Sequence, residues 1–144
     1  MEYTFETTTR VLVLDERVYK GKSRMYLCAS EDLGLIKVVG KGLYMLGTFE
    51  VYIKKSRTLY YLEEAKPIYD YRHVLRNPVV VEAYSKIFST INGFEGEKEN
   101  LYAPLLTVLD KLEREPHNVS QKISEILQEV KDDPKRLINE ILLI

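Results

Sequence analysis

The apolar residues of this chain change period once, near residue 72, and that switch limits what the chain can fold into. Before it, every apolar run reads as strand. Thr7-Thr8-Thr9-Arg10-Val11-Leu12-Val13-Leu14 is β-branched and apolar, and Arg24 to Ser30 and Leu35 to Lys41 follow as two further runs. Gly47 to Lys54 alternates, with Phe49, Val51 and Ile53 on one face. Lys55-Ser56-Arg57 reads as a turn, and Thr58 to Ala65 completes a hairpin. Five short, evenly spaced strands with no helical run between them predict a small β-barrel. An OB-fold is the expectation, and an SH3-like barrel shares its strand count and spacing.

After the switch the spacing is helical. Asn77 can cap a helix with Pro78 at its first position. Val79, Val80, Ala83, Tyr84, Ile87, Phe88 and Ile91 recur along one stripe until Asn92-Gly93 stops it. Leu101, Leu105, Val108, Leu109 and Leu112 mark a second helix that ends before Pro116, leaving His117 in a loop. Asn118 with Gln121 forms a capping box that opens a third helix through Ile123, Ile126, Leu127 and Val130. Asp133-Pro134 opens a fourth, with Leu137, Ile138, Ile141 and Leu142 on one face. Short connections predict antiparallel neighbours, and the closing Ile141-Leu142-Leu143-Ile144 is expected to be buried. The fold class is therefore α+β, with a barrel domain over 1–72 and a helical domain over 73–144.

Composition narrows the function less. Hydrophobic residues make up 45% of the 144 and charged residues 30%, which suits a folded, soluble chain. The formal net charge of −1 is not that of a strongly basic nucleic-acid binder. Residues 1–70 carry eleven basic and ten acidic residues, against ten and twelve in 71–144, so any basic face belongs to the first half. The single Cys28 lies within Met25-Tyr26-Leu27-Cys28-Ala29 and reads as a buried free thiol. It leaves no intrachain disulfide and no cysteine-based zinc site, so no metal or other cofactor is expected. A reducing, intracellular compartment fits, and neither a signal peptide nor a membrane-spanning run is visible.

No phosphate-binding glycine loop, metal-ligand spacing or nucleophile elbow is present, and His73 and His117 are tied by motif to no carboxylate or nucleophile. The reading is non-enzymatic. What does stand out is Gly34-Leu35-Ile36-Lys37-Val38-Val39-Gly40-Lys41-Gly42, entered through a Glu31-Asp32-Leu33-Gly34 turn. Lys37 and Lys41 are four apart in the expected strand and so share a face. Other cations fall in the loops that a barrel gathers: Lys20, Lys22 and Arg24, then Lys54, Lys55 and Arg57. Tyr19, Tyr26, Tyr44, Tyr52, Tyr60 and Tyr61 offer rings, although Tyr60 and Tyr61 point to opposite faces, so one of them belongs to the core. A basic groove with stacking rings is the equipment of a single-strand binder. Against it stands the plain alternative that turn lysines are solvated and merely discourage edge pairing.

A small barrel followed directly by a helical bundle resembles the RecO family of bacterial recombination mediators. The likeness rests on Arg10 to Leu14, on Arg17-Val18-Tyr19 leading to the strand at Arg24, and above all on Gly34 to Gly42. Leu62-Glu63-Glu64-Ala65 into Tyr71-Arg72, Ala83-Tyr84, and Leu105 to Leu112 add to it. The family often follows its Lys-Gly with arginines and a serine, whereas here Leu43-Tyr44-Met45-Leu46-Gly47 follows. Family members are usually longer, and some carry a cysteine-rich zinc insertion, so the chain resembles a short form or fragment without it.

The resemblance implies a cytoplasmic protein of the bacterial cytosol or nucleoid. It would bind single- and double-stranded DNA, promote annealing and assist recombinase loading. It would work with a RecR-like partner and contact the acidic tail of single-strand-binding protein. Arg72, Arg76 and Lys86, near the start of the helical half, are the candidates for that tail. The competing reading is a protein-interaction module, with the barrel as scaffold and the helical half docking a partner.

Overall fold

The computed structural model describes residues 2–92 and 100–144. These divide into two compact units, one of residues 2–71 with 100–102 and the other of 72–92 with 103–144.

The first unit is a five-stranded sheet: β1 (Phe5–Val18), β2 (Arg24–Ser30), β3 (Gly34–Gly40), β4 (Gly47–Ser56) and β5 (Leu59–Asp70). Its order is β1-β2-β3-β5-β4, and β4 pairs with β1, so the sheet closes into a ring. All pairings are antiparallel except β3 with β5, which is parallel and rests on two residue pairs, Val38 with Tyr60 and Val39 with Tyr61. Val11, Val13, Tyr26, Cys28, Ile36, Val38, Phe49, Val51, Ile53 and Tyr60 fill the interior. Phe49, Val51 and Ile53 face inward together, as their alternation predicts. Tyr60 is core while Tyr61 is only half-buried, so the two rings do part across the sheet. Cys28 is fully buried, and burial pushes its thiol pKa far above the ordinary value.

The strands overrun their sequence limits where polar residues pair. β1 begins at Phe5 because its Thr-rich start lies along the end of β4, with Phe5 opposite Lys55 and Thr7 opposite Ile53. β4 continues through Lys55 and Ser56, so the turn shrinks to Arg57-Thr58, with Arg57 at a positive φ of 60°. β3, by contrast, stops at Gly40. Lys41 lies beyond the strand next to Gly42, whose φ of 94° turns the chain away, so Lys37 and Lys41 do not share a strand face.

The turn between β2 and β3 is fixed from inside. Ser30 is fully buried, and its Oγ accepts from the backbone N–H groups of Asp32 (3.3 Å) and Leu33 (3.1 Å). The Thr9 hydroxyl lies 3.0 Å from Ser30 Oγ and donates to the Asp32 carboxylate at 2.7 Å. That network ties the turn to β1.

The second unit opens with a 3₁₀ turn at Arg72–Arg76, followed by α1 (Pro78–Asn92), α2 (Tyr102–Arg114), α3 (Pro116–Val130) and α4 (Pro134–Leu142). Asn77 caps α1 through its Oδ1, which accepts from Val79 N at 3.0 Å, and Asp133 caps α4 by accepting from Arg136 N at 3.1 Å. The Gly93 expected to stop α1 lies outside the described residues. α3 departs from expectation. It starts at Pro116 with Glu115 as its cap residue, so His117 and Asn118 are helical and the Asn118–Gln121 capping box does not form. Proline supplies the φ of a first helical turn without needing its N–H, which moves the cap three residues earlier, from Asn118 to Glu115. α1 packs most closely on α3 rather than on its sequence neighbour α2, and α4 closes against both α1 and α3. Leu137, Ile138 and Ile141 are buried there, but Leu143 is 81% exposed, so the terminal aliphatics are not buried as a group.

Ring closure depends on Gly40. A Cβ placed there would lie 2.6 Å from the Cβ of Leu62 on β5, an atom held by its own backbone. Gly40→Ala is expected to lower stability by about 1–3 kcal/mol, as overpacking does. Urea unfolding with an unchanged midpoint would show that the two strands do not need this close approach.

Candidate nucleic-acid interface

The ring register gathers the first-half loops into two neighbouring groups. Val18, Arg24 and Gly40 lie side by side, because β2 pairs Arg24 with both of the others. The loop from Tyr19 to Ser23, with exposed Lys20 and Lys22, therefore shares one end of the ring with Arg24 and Lys41. Tyr19 also lines an open cleft of about 820 Å³ against the β4–β5 turn, together with Glu2, Thr4, Lys55, Arg57 and Tyr61. The cleft thus joins the β1–β2 loop to the β4–β5 hairpin.

Rings and cations alternate around it. Lys54 Nζ sits 5.4 Å from the centre of the Tyr3 ring and 6.0 Å from that of Tyr52. Lys55 Nζ is 5.4 Å from Tyr60, and Lys20 Nζ is 5.5 Å from Tyr19. Each such contact is worth about 0.5–1 kcal/mol at a surface and holds the ammonium near a ring face. Tyr3 packs edge-on to Tyr61, with centroids 6.2 Å apart. Partial desolvation, then the neighbouring Tyr19 phenol and its hydrogen bond, raise the pKa of Tyr61, while Arg57 pulls it back. The Tyr61 phenol is therefore a neutral hydroxyl with an apolar ring face, suited to stacking and hydrogen bonding.

Carboxylates temper the site. Glu2 lines the cleft itself, and Tyr52 donates to Glu6 Oε2 at 2.7 Å. Lys55 and Arg57 share the cleft lining with Glu2, and Glu6, Glu63 and Glu64 all act on Tyr52 beside it, so the cations are locally balanced by carboxylates.

Not every candidate joins this group. Lys37 sits in mid-β3, half-buried and outward between Leu35 and Val39. The Tyr44 ring packs edge-on to Phe49, 5.0 Å between centroids, and lies against the interior cluster, so it caps the core. Tyr26 is 1% exposed and offers no ring to a ligand. Conversely, Thr4 lines the cleft and Tyr3 packs on Tyr61 beside it, although both precede every strand expected from the sequence. Only the apolar alternation of Tyr3 with Phe5 hints at their pairing. In the helical unit, Arg72 and Arg76 are exposed on the 3₁₀ turn, but Lys86 is paired to Glu82 at 3.2 Å and His73 to Glu113 at 3.2 Å. An acidic tail would have to displace those carboxylates. Among the described residues no set of His, Cys, Asp or Glu side chains is placed to hold a metal ion, and no helix is long and apolar enough to cross a membrane.

The Glu6 contact makes Tyr52 a reporter of the site. The hydrogen bond to Glu6 is the main cause raising the Tyr52 pKa, because an ionised phenol would face a carboxylate. A raised folded-state pKa means that this contribution to stability is present below the ordinary value near 10 and is lost as pH rises through the folded value. Glu6→Gln is expected to bring Tyr52 down toward its ordinary value in a residue-resolved NMR titration. A titration unmoved by the substitution would show that Glu6 is not the partner.

No family model matches the chain, and no curated protein matches it. The site is therefore read from its own chemistry.

Proposed function

We propose that the chain is a non-enzymatic DNA-binding protein that grips single strands in the tyrosine–lysine cleft. We infer an OB-fold for the ring. In a simple meander β3 would lie beside β4, whereas here it lies parallel to β5, and the cleft sits between the β1–β2 and β4–β5 loops that OB-folds use for oligonucleotides. The observation that carries the proposal is the cleft itself, lined by Tyr19, Tyr61, Lys55, Arg57 and Glu2, with Tyr3 packed edge-on to Tyr61 and Lys54 against the Tyr3 ring beside it. Rings there would take bases by stacking, and the cations would follow the phosphates without regard to sequence.

The resemblance to RecO extends the proposal to a recombination mediator that also binds double-stranded DNA, assists annealing and recombinase loading, and works with a RecR-like partner and the acidic tail of single-strand-binding protein. Arg72, Arg76 and Lys86 are the candidates for that tail, with Arg72 and Arg76 exposed on the 3₁₀ turn. One observation favours the alternative of a protein-interaction module. Late in β5, away from the cleft lining, Ile68 and Tyr69 are each 51% exposed, with the Tyr69 ring edge-on to Tyr71.

The test is fluorescence anisotropy with a labelled single strand across a salt series. Four cations in and beside the cleft, Lys20, Lys54, Lys55 and Arg57, predict a log–log salt slope of about −3. Replacing Lys54, Lys55 and Arg57 by Glu should flatten the slope and weaken binding at least about tenfold, because three contacts are removed and three repulsions added. Tyr61→Ala should cost about 1–3 kcal/mol. Lys37→Glu should change little. No binding at low salt would leave the interaction module as the reading, and loss of binding on Lys37→Glu alone would move the site to the outer face of β3.

A further inference from the structure

A second pocket opens beside the cleft and differs from it in chemistry. It has a volume of about 420 Å³ and is lined by Thr4, Phe5, Asp32, Leu33, Lys55 and Tyr60. Thr4 and Lys55 line both spaces, so the two adjoin at these residues. The cleft is rich in cations and phenols. The pocket has apolar walls in Phe5, Leu33 and Tyr60, the Lys55 ammonium 5.4 Å from the centre of the Tyr60 ring, and one carboxylate, Asp32. Its size lies within the range of about 300–1,000 Å³ usual for small-ligand sites.

Asp32 is positioned rather than loose. Its Oδ2 accepts from Thr9 at 2.7 Å, and its backbone N–H is held by Ser30 Oγ at 3.3 Å. Thr9 and Ser30 are both buried, so the turn presents the carboxylate from a fixed base. An ionised carboxylate only accepts hydrogen bonds, and each oxygen has more than one lone pair, so Asp32 can still accept from a ligand. A phosphate would be repelled at Asp32, whereas Lys55, held against the Tyr60 wall, would attract it. Backbone passing Lys55 and base reaching Asp32 is the arrangement that satisfies both charges.

We propose that this pocket receives one unstacked base of the bound strand and that Asp32 selects bases carrying an exocyclic amino group over thymine. The inference rests on the single-strand reading above. The cytosine N4 amino group donates to a carboxylate directly, as in other carboxylate–cytosine contacts. Thymine presents carbonyl oxygens on either side of its one N–H, and these face the carboxylate unfavourably. Phe5 and Leu33 would cover the base faces.

The experiment compares labelled oligo(dC) and oligo(dT) of equal length by anisotropy on the full chain. Oligo(dC) should bind about five- to tenfold more tightly. Asp32→Asn keeps an acceptor for Thr9 but removes the charge and adds a donor. It should bring the dC/dT ratio close to one, even if both affinities rise. Phe5→Ala, which removes an exposed wall of the pocket, should lower the affinity for oligo(dC) and shrink the ratio. Equal binding of the two oligonucleotides by the unaltered protein, or a ratio that survives Asp32→Asn, would overturn the base-selecting role and leave the single-strand reading standing. Failure to bind either oligonucleotide would overturn both.

Discussion

The seam between β3 and β5 is the contact on which the first unit depends. It is the shortest pairing in the ring, two residue pairs long, and the only parallel one. Without it the sheet is an open strip whose edge strands offer unpaired backbone groups to other chains. With it, Val38 and Tyr60 join the core, and Tyr61 is fixed on the opposite face beside Tyr3. Gly40 allows this by leaving room for Leu62. The glycine in the Lys-rich hairpin therefore has a packing reason that involves no ligand.

From that seam the cleft follows. Closure brings the β4–β5 turn round to Tyr19, and pairing of Phe5 with Lys55 draws the N-terminal segment across the same opening. Lysine stems then lie along tyrosine rings, which limits their motion and keeps the charges near the stacking faces. Lys55 and Arg57 thus meet in one cleft of a chain of nearly balanced charge. The nearby Glu2 and Glu6 keep that site weaker than a fully basic groove would be.

The sequence made the strand–helix division legible because the two periods differ so plainly, and it located the β2, β4 and α4 signals well. It misjudged features set by pairing across distance. Lys41 looks like strand by its neighbours, but Gly42 takes a left-handed φ and ends the run. Asn118 and Gln121 have capping-box spacing, but Pro116 begins the helix first. Tyr26 and Tyr44 are indistinguishable by type from Tyr19 and Tyr61. Only the direction each takes from the closed sheet separates core rings from cleft rings. The cationic loops were visible one by one. Their assembly around Tyr61, and the contribution of Tyr3, required the register.

Amide chemical-shift mapping of the full chain during titration with a short single-stranded oligonucleotide tests the central claim most directly. The account predicts that the largest shifts fall on Tyr19, Lys55, Arg57 and Tyr61, with Lys37 and the helices little changed. Shifts concentrated on Arg72, Arg76 and α1, or on the outer face of β3, would contradict a binding site in the tyrosine–lysine cleft.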